Sequence, residues 1–205
     1  MAPLLLATRN AHKVGELRAI LRDVGVDVSL VGMEAFPDVP DVVEDGLTFA
    51  MNALKKARET AAATLLPCVA DDSGLCVDAL NGMPGVFSAR WSGRHGDDAA
   101  NLDLVLAQLA DVADELRGAR FECAAALALP SGEHRVVRGV IEGVLLRARR
   151  GSSGFGYDPI FLPHGHDRTT AEMSPAEKNA ISHRGRAFRA LAPAITELVP
   201  DAGQR

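Results

Sequence analysis

Two aspartates, Asp71 and Asp72, follow the apolar run Cys68-Val69-Ala70 and precede Ser73-Gly74. Adjacent carboxylates repel one another unless water or a cation screens them. Magnesium favours one or two carboxylates together with phosphate oxygens and water, and Glu44, in the preceding loop, can supply a further carboxylate. Taken by itself, the pair is equally an acidic surface turn and Glu44 another loop acid. A second group, Thr8-Arg9-Asn10-Ala11-His12-Lys13, lies where an apolar strand hands over to a helix. A helix N-terminus offers unpaired N–H groups and a positive dipole end, which suits phosphate; Thr8 and Asn10 add donors and Lys13 a full charge. The plain alternative is a capped helix. The segment is not a Walker loop, because the chain contains no G-x-x-x-x-G-K-[ST].

Three further groups could recognise a ligand. Asn52 and Lys56, four residues apart, share a helix face, whereas Lys55 points elsewhere; a solvated lysine is the ordinary reading of either. The run Gly151-Ser152-Ser153-Gly154-Phe155-Gly156-Tyr157-Asp158-Pro159 lacks the G-x-G-x-x-G dinucleotide fingerprint. Its glycines let backbone approach a ligand closely. Phe155 or Tyr157 could stack on a base and Asp158 could accept a hydrogen bond from one, with core packing as the competing reading. Lys178 and Ser182-His183-Arg184 bring basic groups near a helix start, or form an exposed surface cluster. His164 and His166 share a loop without further spaced ligands, which is a weak basis for a metal site.

These residues need elements to position them. Residues 4–8 read as a buried strand, and Asn10 can cap a helix whose Val14, Leu17, Leu21 and Val24 form an apolar stripe ended by Gly25. Residues 26–31 read as a second strand and 32–46 as an acidic, proline-containing loop. A helix is expected over 48–63, with Met51 and Leu54 as its larger apolar members. Residues 68–70 read as a strand, 71–74 as a turn and 75–77 as resumed strand. Leu102, Val105, Leu106 and Leu109 mark a helix. Residues 121–129 and 135–146 form a hairpin around Pro130-Ser131-Gly132-Glu133. Ser174-Pro175-Ala176-Glu177 is a capping box, and Phe188, Leu191, Ile195 and Leu198 stripe a last helix. The alternation of strands and helices followed by a hairpin implies an α/β fold with a mixed sheet. A single domain over residues 1–205 is expected, with a frayed tail at about 199–205.

Composition narrows the function classes. The 205 residues are 47% hydrophobic, enough for one well-filled core. The net charge of −5, with Arg147, Arg149 and Arg150 as the only dense basic cluster, argues against a nucleic-acid polymer as partner. No run approaches a membrane span and no basic region precedes the first apolar patch, so neither a membrane nor a signal peptide is expected and the cytoplasm is the default location. Three cysteines, Cys68, Cys76 and Cys123, without a C-x-x-C pair fit reduced core positions.

In this order the segments resemble the inosine/xanthosine triphosphate pyrophosphatase family. The resemblance is carried by residues 8–13, by Glu44-Asp45-Gly46-Leu47-Thr48-Phe49 with Asn52-Ala53 and Lys56-Ala57, and by Asp71-Asp72-Ser73-Gly74-Leu75. Gly82-Met83-Pro84-Gly85-Val86-Phe87-Ser88-Ala89-Arg90, Gly154-Phe155-Gly156-Tyr157-Asp158-Pro159 and Lys178 with Ser182-His183-Arg184 complete it, so that it spans about residues 4–198. It implies an elongated mixed-sheet fold with two lobes around a central nucleotide-binding cleft, a homodimer, Mg2+ as cofactor, and cleavage of ITP, dITP or XTP to the monophosphate and pyrophosphate. It implies that Thr8, Asn10 and Lys13, helped by Lys56, bind phosphate, and that Arg9, Ala11 and His12 belong to the same substrate-binding run. Glu44 and Asp72 would hold the metal, and Asp72 would accept the proton. Ser73 would contact substrate, Phe155, Gly156, Tyr157 and Asp158 would bind the base, and Lys178, His183 and Arg184 would complete the base and sugar end. Arg9 stands where many relatives of that family have glycine. The other readings of the same residues are a catalytically silent nucleotide sensor and a pyrophosphatase for other modified nucleotides.

Overall fold

The computed structural model of the protein describes residues 3–9 and 11–199. Asn10 and the tail 200–205 therefore lie outside the described residues, as do the side chains of Ala11 and His12. Among the described residues the strands are β1 (Leu4–Leu6), β2 (Leu30–Gly32), β3 (Cys68–Val77), β4 (Gly118–Ala128), β5 (His134–Leu145) and β6 (Phe161–Pro163). They form one sheet in the order β2-β1-β3-β4-β5-β6. β1 runs parallel to β2 and β3, with Leu4 beside Leu30 and Leu5 beside Cys68, whereas β5 and β6 are antiparallel. The sheet is thus mixed, as the element pattern implies. The helices are α1 (Ala11–Asp23), α2 (Phe49–Thr64), α3 (Asp98–Gln108), α4 (Pro175–Ile181) and α5 (His183–Leu198).

The chain packs as two compact units, each assembled from separated segments. One comprises residues 1–72, 123–139 and 184–205, the other 73–122 and 140–183, and β3, β4 and β5 contribute residues to both. The core of the first gathers Leu4, Leu6, Leu17, Ile20 and Leu21 with Val69, Leu127, Phe188, Leu191 and Ile195. The core of the second gathers Leu75, Val77, Leu102, Val105, Leu109, Phe121, Tyr157 and Phe161.

Several elements differ from the sequence expectation. Residues 71–74 are not a turn: β3 continues through them, because both aspartates find partners that let an extended chain stay buried. β2 is shorter and later than 26–31, and Val24 lies beyond the end of α1 and is exposed. Met51 is also exposed; the buried face of α2 is Phe49, Asn52, Ala53, Ala57, Thr60 and Ala61. The 3-10 turn Asp158–Ile160 and strand β6 arise in a stretch for which the sequence pattern gives no element. Elsewhere the local signals hold. Thr48 caps α2 by accepting from the Met51 N–H at 3.2 Å, and Ser174 and Glu177 close a reciprocal capping box at α4. Among the described residues no helix is long and apolar enough to cross a membrane.

The second unit is tied by one buried cation. The Arg117 guanidinium donates to the carbonyls of Leu109 at 2.6 Å, Leu145 at 2.8 Å and Leu146 at 3.0 Å, and the residue is 2% exposed. Buried carbonyls that lose their donors keep the full desolvation penalty. Arg117→Met is expected to lower unfolding stability by about 3 kcal/mol or more, read from urea denaturation.

Candidate active site

The first unit concentrates charge around Asp71 and Asp72. Successive residues of a strand point to opposite faces, so these neighbours meet different partners. Asp71, 3% exposed, receives the Lys13 ammonium at 3.2 and 3.3 Å and the Arg184 Nε at 3.1 Å. Arg184, at the start of α5, also donates to Glu16 of α1 at 3.2 Å. Burial alone would drive the Asp71 carboxyl upward, but Lys13, Arg184 and Lys56 together hold it well below the usual carboxylate range. Residues 13, 71 and 184 are thereby joined in one ionic cluster.

Asp72 behaves in the opposite way. Its Oδ2 accepts from the Asn52 amide at 2.9 Å. Burial, reinforced by the negative charges of Glu44 and Asp71, raises its carboxyl above the ordinary value despite Lys56 and Asn52. Glu44 is bound by Lys56 at 2.6 Å. Burial pulls the Lys56 ammonium down, but Asp71, Glu44 and Asp72 outweigh it and keep the lysine charged. Helix α2 thus presents Asn52, Lys55 and Lys56, at i, i+3 and i+4, to three consecutive residues of the loop before it. Lys56 takes Glu44, Lys55 takes Asp45 at 2.7 Å, and Asn52 takes the Gly46 N–H at 2.7 Å. Arg9 holds the chain ahead of these residues, donating to Asp41 at 2.9 Å, the Val39 carbonyl at 2.7 Å and the Met33 carbonyl at 3.4 Å. Thr8 is half-buried, and its carbonyl accepts from the Met33 N–H at 3.1 Å.

In the second unit the loop after β5 folds around Asp158, which is 3% exposed. One carboxylate oxygen accepts from the Phe155 N–H at 2.9 Å and from Lys178, the other from the Thr170 hydroxyl at 2.8 Å. Gly154, at φ +78°, permits this: a Cβ there would stand 2.1 Å from the Asp158 oxygen. Gly156 donates its N–H to Asp98 at 2.8 Å. The two aromatics separate. Tyr157 is a core residue whose hydroxyl donates to the Ser88 carbonyl at 2.8 Å, whereas Phe155 is 53% exposed with the Lys178 ammonium 5.0 Å from its ring centre. The His183 ring stacks on Phe121 at 5.0 Å, and Ser73 is half-buried.

The structure therefore gathers Lys13, Glu44, Lys56 and Asp72 with Arg184 in the first unit, and Phe155, Asp158 and Lys178 in the second. Asp71 and Asn52, candidates in the sequence to which the family resemblance gives no role, are structural participants, as are Glu16 and Asp98, which the sequence does not single out. The helical spacing of Asn52 and the strand alternation at Asp71 were signals available for two of them. Nothing in the sequence marks Asp98.

The chain resembles known proteins over almost its whole length. The model of the Ham1 family matches residues 4–194. The dITP/XTP pyrophosphatase of Streptomyces coelicolor is 65% identical, covering 97% of this chain and all of the relative. Among solved structures, a nucleoside-triphosphatase / dITP/XTP pyrophosphatase from Mycobacterium abscessus is 56% identical with TM-score 0.77, covering 93% of this chain and 99% of that one. A HAM1 protein from Coxiella burnetii is 45% identical with TM-score 0.87, covering 96% and 100%.

Helix α4, which carries Lys178, depends on a carboxylate for its start. Arg168 at 2.7 Å and the Ser174 backbone and hydroxyl hold Glu177 down to about 2 from its ordinary 4.5. A depressed carboxyl adds stability above its unfolded pKa and loses it as the pH falls through the folded one. Glu177→Gln is expected to melt below the parent at pH 7, with the gap narrowing as the pH drops from 4.5 toward 2 in paired thermal melts.

Proposed function

The chain belongs to the Ham1 family, and we propose that it hydrolyses the non-standard purine nucleoside triphosphates dITP, ITP and XTP to the monophosphate and pyrophosphate. The observation that carries this reading is the pairing of two lysines with three acids in the first unit, Lys13 on Asp71 and Lys56 on Glu44 beside Asp72. A polyphosphate needs its charge neutralised before a water can approach the phosphorus. We assign Lys13 and Lys56 to that task, together with the backbone at the start of α1 and the neighbouring Thr8 and Asn10.

The donor set also fits a divalent cation. Glu44 and Asp72 offer hard oxygens, and their mutual repulsion helps raise the Asp72 carboxyl, a condition that a cation relieves. We propose magnesium, held by Glu44 and Asp72; when bound, it supplies neutralisation of phosphoryl oxygens and acidification of coordinated water. Asp72 accepts the proton of the attacking water, a role suited to a carboxylate above its ordinary pKa. Asp71 stays ionised between Lys13 and Arg184 and sets the direction of the Lys13 ammonium.

For the base we assign Phe155 as the stacking surface, with Gly156, Lys178 and His183 as polar neighbours. Hypoxanthine and xanthine carry a 6-keto group and a protonated N1, the reverse of adenine at both positions. A lysine held in place by Asp158 can donate to a keto oxygen and has nothing to accept from an amino group. Lys178 is therefore the group we expect to reject adenine. Arg184 is engaged by Asp71 and Glu16, so we give it a role through Asp71. Action in the cytoplasm as a homodimer completes the proposal.

Steady-state pyrophosphate release from ITP, dITP, XTP, GTP and ATP, with and without magnesium, tests it. The 6-keto non-standard purines are expected to lead and ATP to trail. A preference for ATP, or binding without turnover, overturns the reading. Asp72→Asn is expected to lower kcat by about 10²–10⁴-fold while nucleotide still binds.

A further inference from the structure

Asn52 is fully buried, and each end of its side-chain amide is committed. The Gly46 N–H can only donate, so the amide oxygen must face it, at 2.7 Å; the NH2 end is then turned to Asp72 Oδ2, at 2.9 Å. The orientation of this amide therefore follows from chemistry at both ends. Gly46 makes the approach possible, because a Cβ at that position would stand 2.6 Å from the Asn52 Oδ1 and 2.8 Å from the Met51 Cβ. The amide links the backbone two residues after Glu44 to the carboxylate of Asp72. From these contacts we infer that Asn52 is a positioning residue: its amide, locked by the Gly46 N–H, sets the rotation of the Asp72 carboxylate relative to the Glu44 loop. The inference rests on the reading of Asp72 as proton acceptor and goes beyond it, since no residue has so far been given the task of aiming that group.

An aspartate at position 52 isolates the interaction. Asn52→Asp has nearly the same shape and still accepts from Gly46, but it presents an oxygen to Asp72 in place of N–H. A residue that only anchored the loop would show the added carboxylate as lost thermal stability, with the kcat of the folded enzyme parent-like. With ITP and magnesium, Asn52→Asp is expected to lower kcat by about 10²-fold with KM changed by less than about threefold, because an Asp72 turned away from the reacting atoms still leaves the phosphate contacts in place. Gly46→Ala, which keeps both side chains and pushes the amide aside, is expected to do the same. The exchanged pair Asn52→Asp/Asp72→Asn restores one hydrogen bond between the two positions, so its thermal melt should recover toward the parent while turnover does not. Where Asn52→Asp fails to fold, the smaller and neutral Asn52→Ser is read by the same criteria. Parent-like kcat in Asn52→Asp and Gly46→Ala, or turnover regained in the exchanged pair, overturns the inference. Asp72→Asn separates the two levels. If that variant is inactive while Asn52→Asp is parent-like, only the role of Asn52 falls; if it turns over normally, the reading of Asp72 falls and takes this inference with it.

Discussion

A carboxylate with almost no contact with water can stay ionised only if positive charge surrounds it, and this condition organises the first unit. Asp71 meets it with Lys13 and Arg184, and Arg184 is balanced in turn by Glu16. The cluster joins α1, β3 and the start of α5, three elements far apart in the chain. Removing one member would leave the others as uncompensated buried charges, which costs far more than the net worth of the pair. The parallel strands β1, β2 and β3 and the apolar faces of α1 and α5 supply the hydrophobic frame. The ionic cluster bridges α1, β3 and α5 across that frame.

The same strand produces the electrostatic contrast on which the proposed chemistry relies. Asp71 and Asp72 differ by one residue, and in an extended chain that means opposite faces. Both are buried; Lys13 and Arg184 outweigh burial at Asp71 and hold it low, whereas at Asp72 burial, with Glu44 and Asp71 nearby, outweighs Lys56 and Asn52 and pushes it up. A permanently charged anchor and a carboxylate suited to accept a proton thus arise from identical side chains. Lys56 takes part in both environments, which keeps it charged despite burial.

Much of this was legible in the sequence, and the reasons for the rest are specific. Caps and stripes are local physics, so α1, the capping box of α4 and the Phe188–Leu191–Ile195 face of α5 could be read from spacing. The aspartate pair could not be placed on a strand, because polar residues in sequence signal a turn unless tertiary partners are known, and those partners lie at positions 13, 52 and 184. The aromatic loop posed a similar difficulty. Phe155 and Tyr157 look alike as loop aromatics, but only Tyr157 is buried in the core, where its hydroxyl donates to the Ser88 carbonyl. Met51 and Leu54 were natural choices for the buried side of α2. The helix instead turns its alanines inward, because the face carrying Asn52 must approach the interior closely.

That alanine face restricts how the protein can vary. Ala53, Ala57 and Ala61 repeat every fourth residue, so beside Phe49, Asn52 and Thr60 much of the seat of α2 is set by methyl groups. Side chains this small have no rotamers with which to absorb a neighbour's change in size. Bulk gained beneath them would be passed on as a rigid displacement of the helix, carrying Asn52, Lys55 and Lys56 away from the loop together. The interior under α2 and the groups proposed to react are therefore mechanically coupled, and a packing change there reaches the loop through Asn52, Lys55 and Lys56.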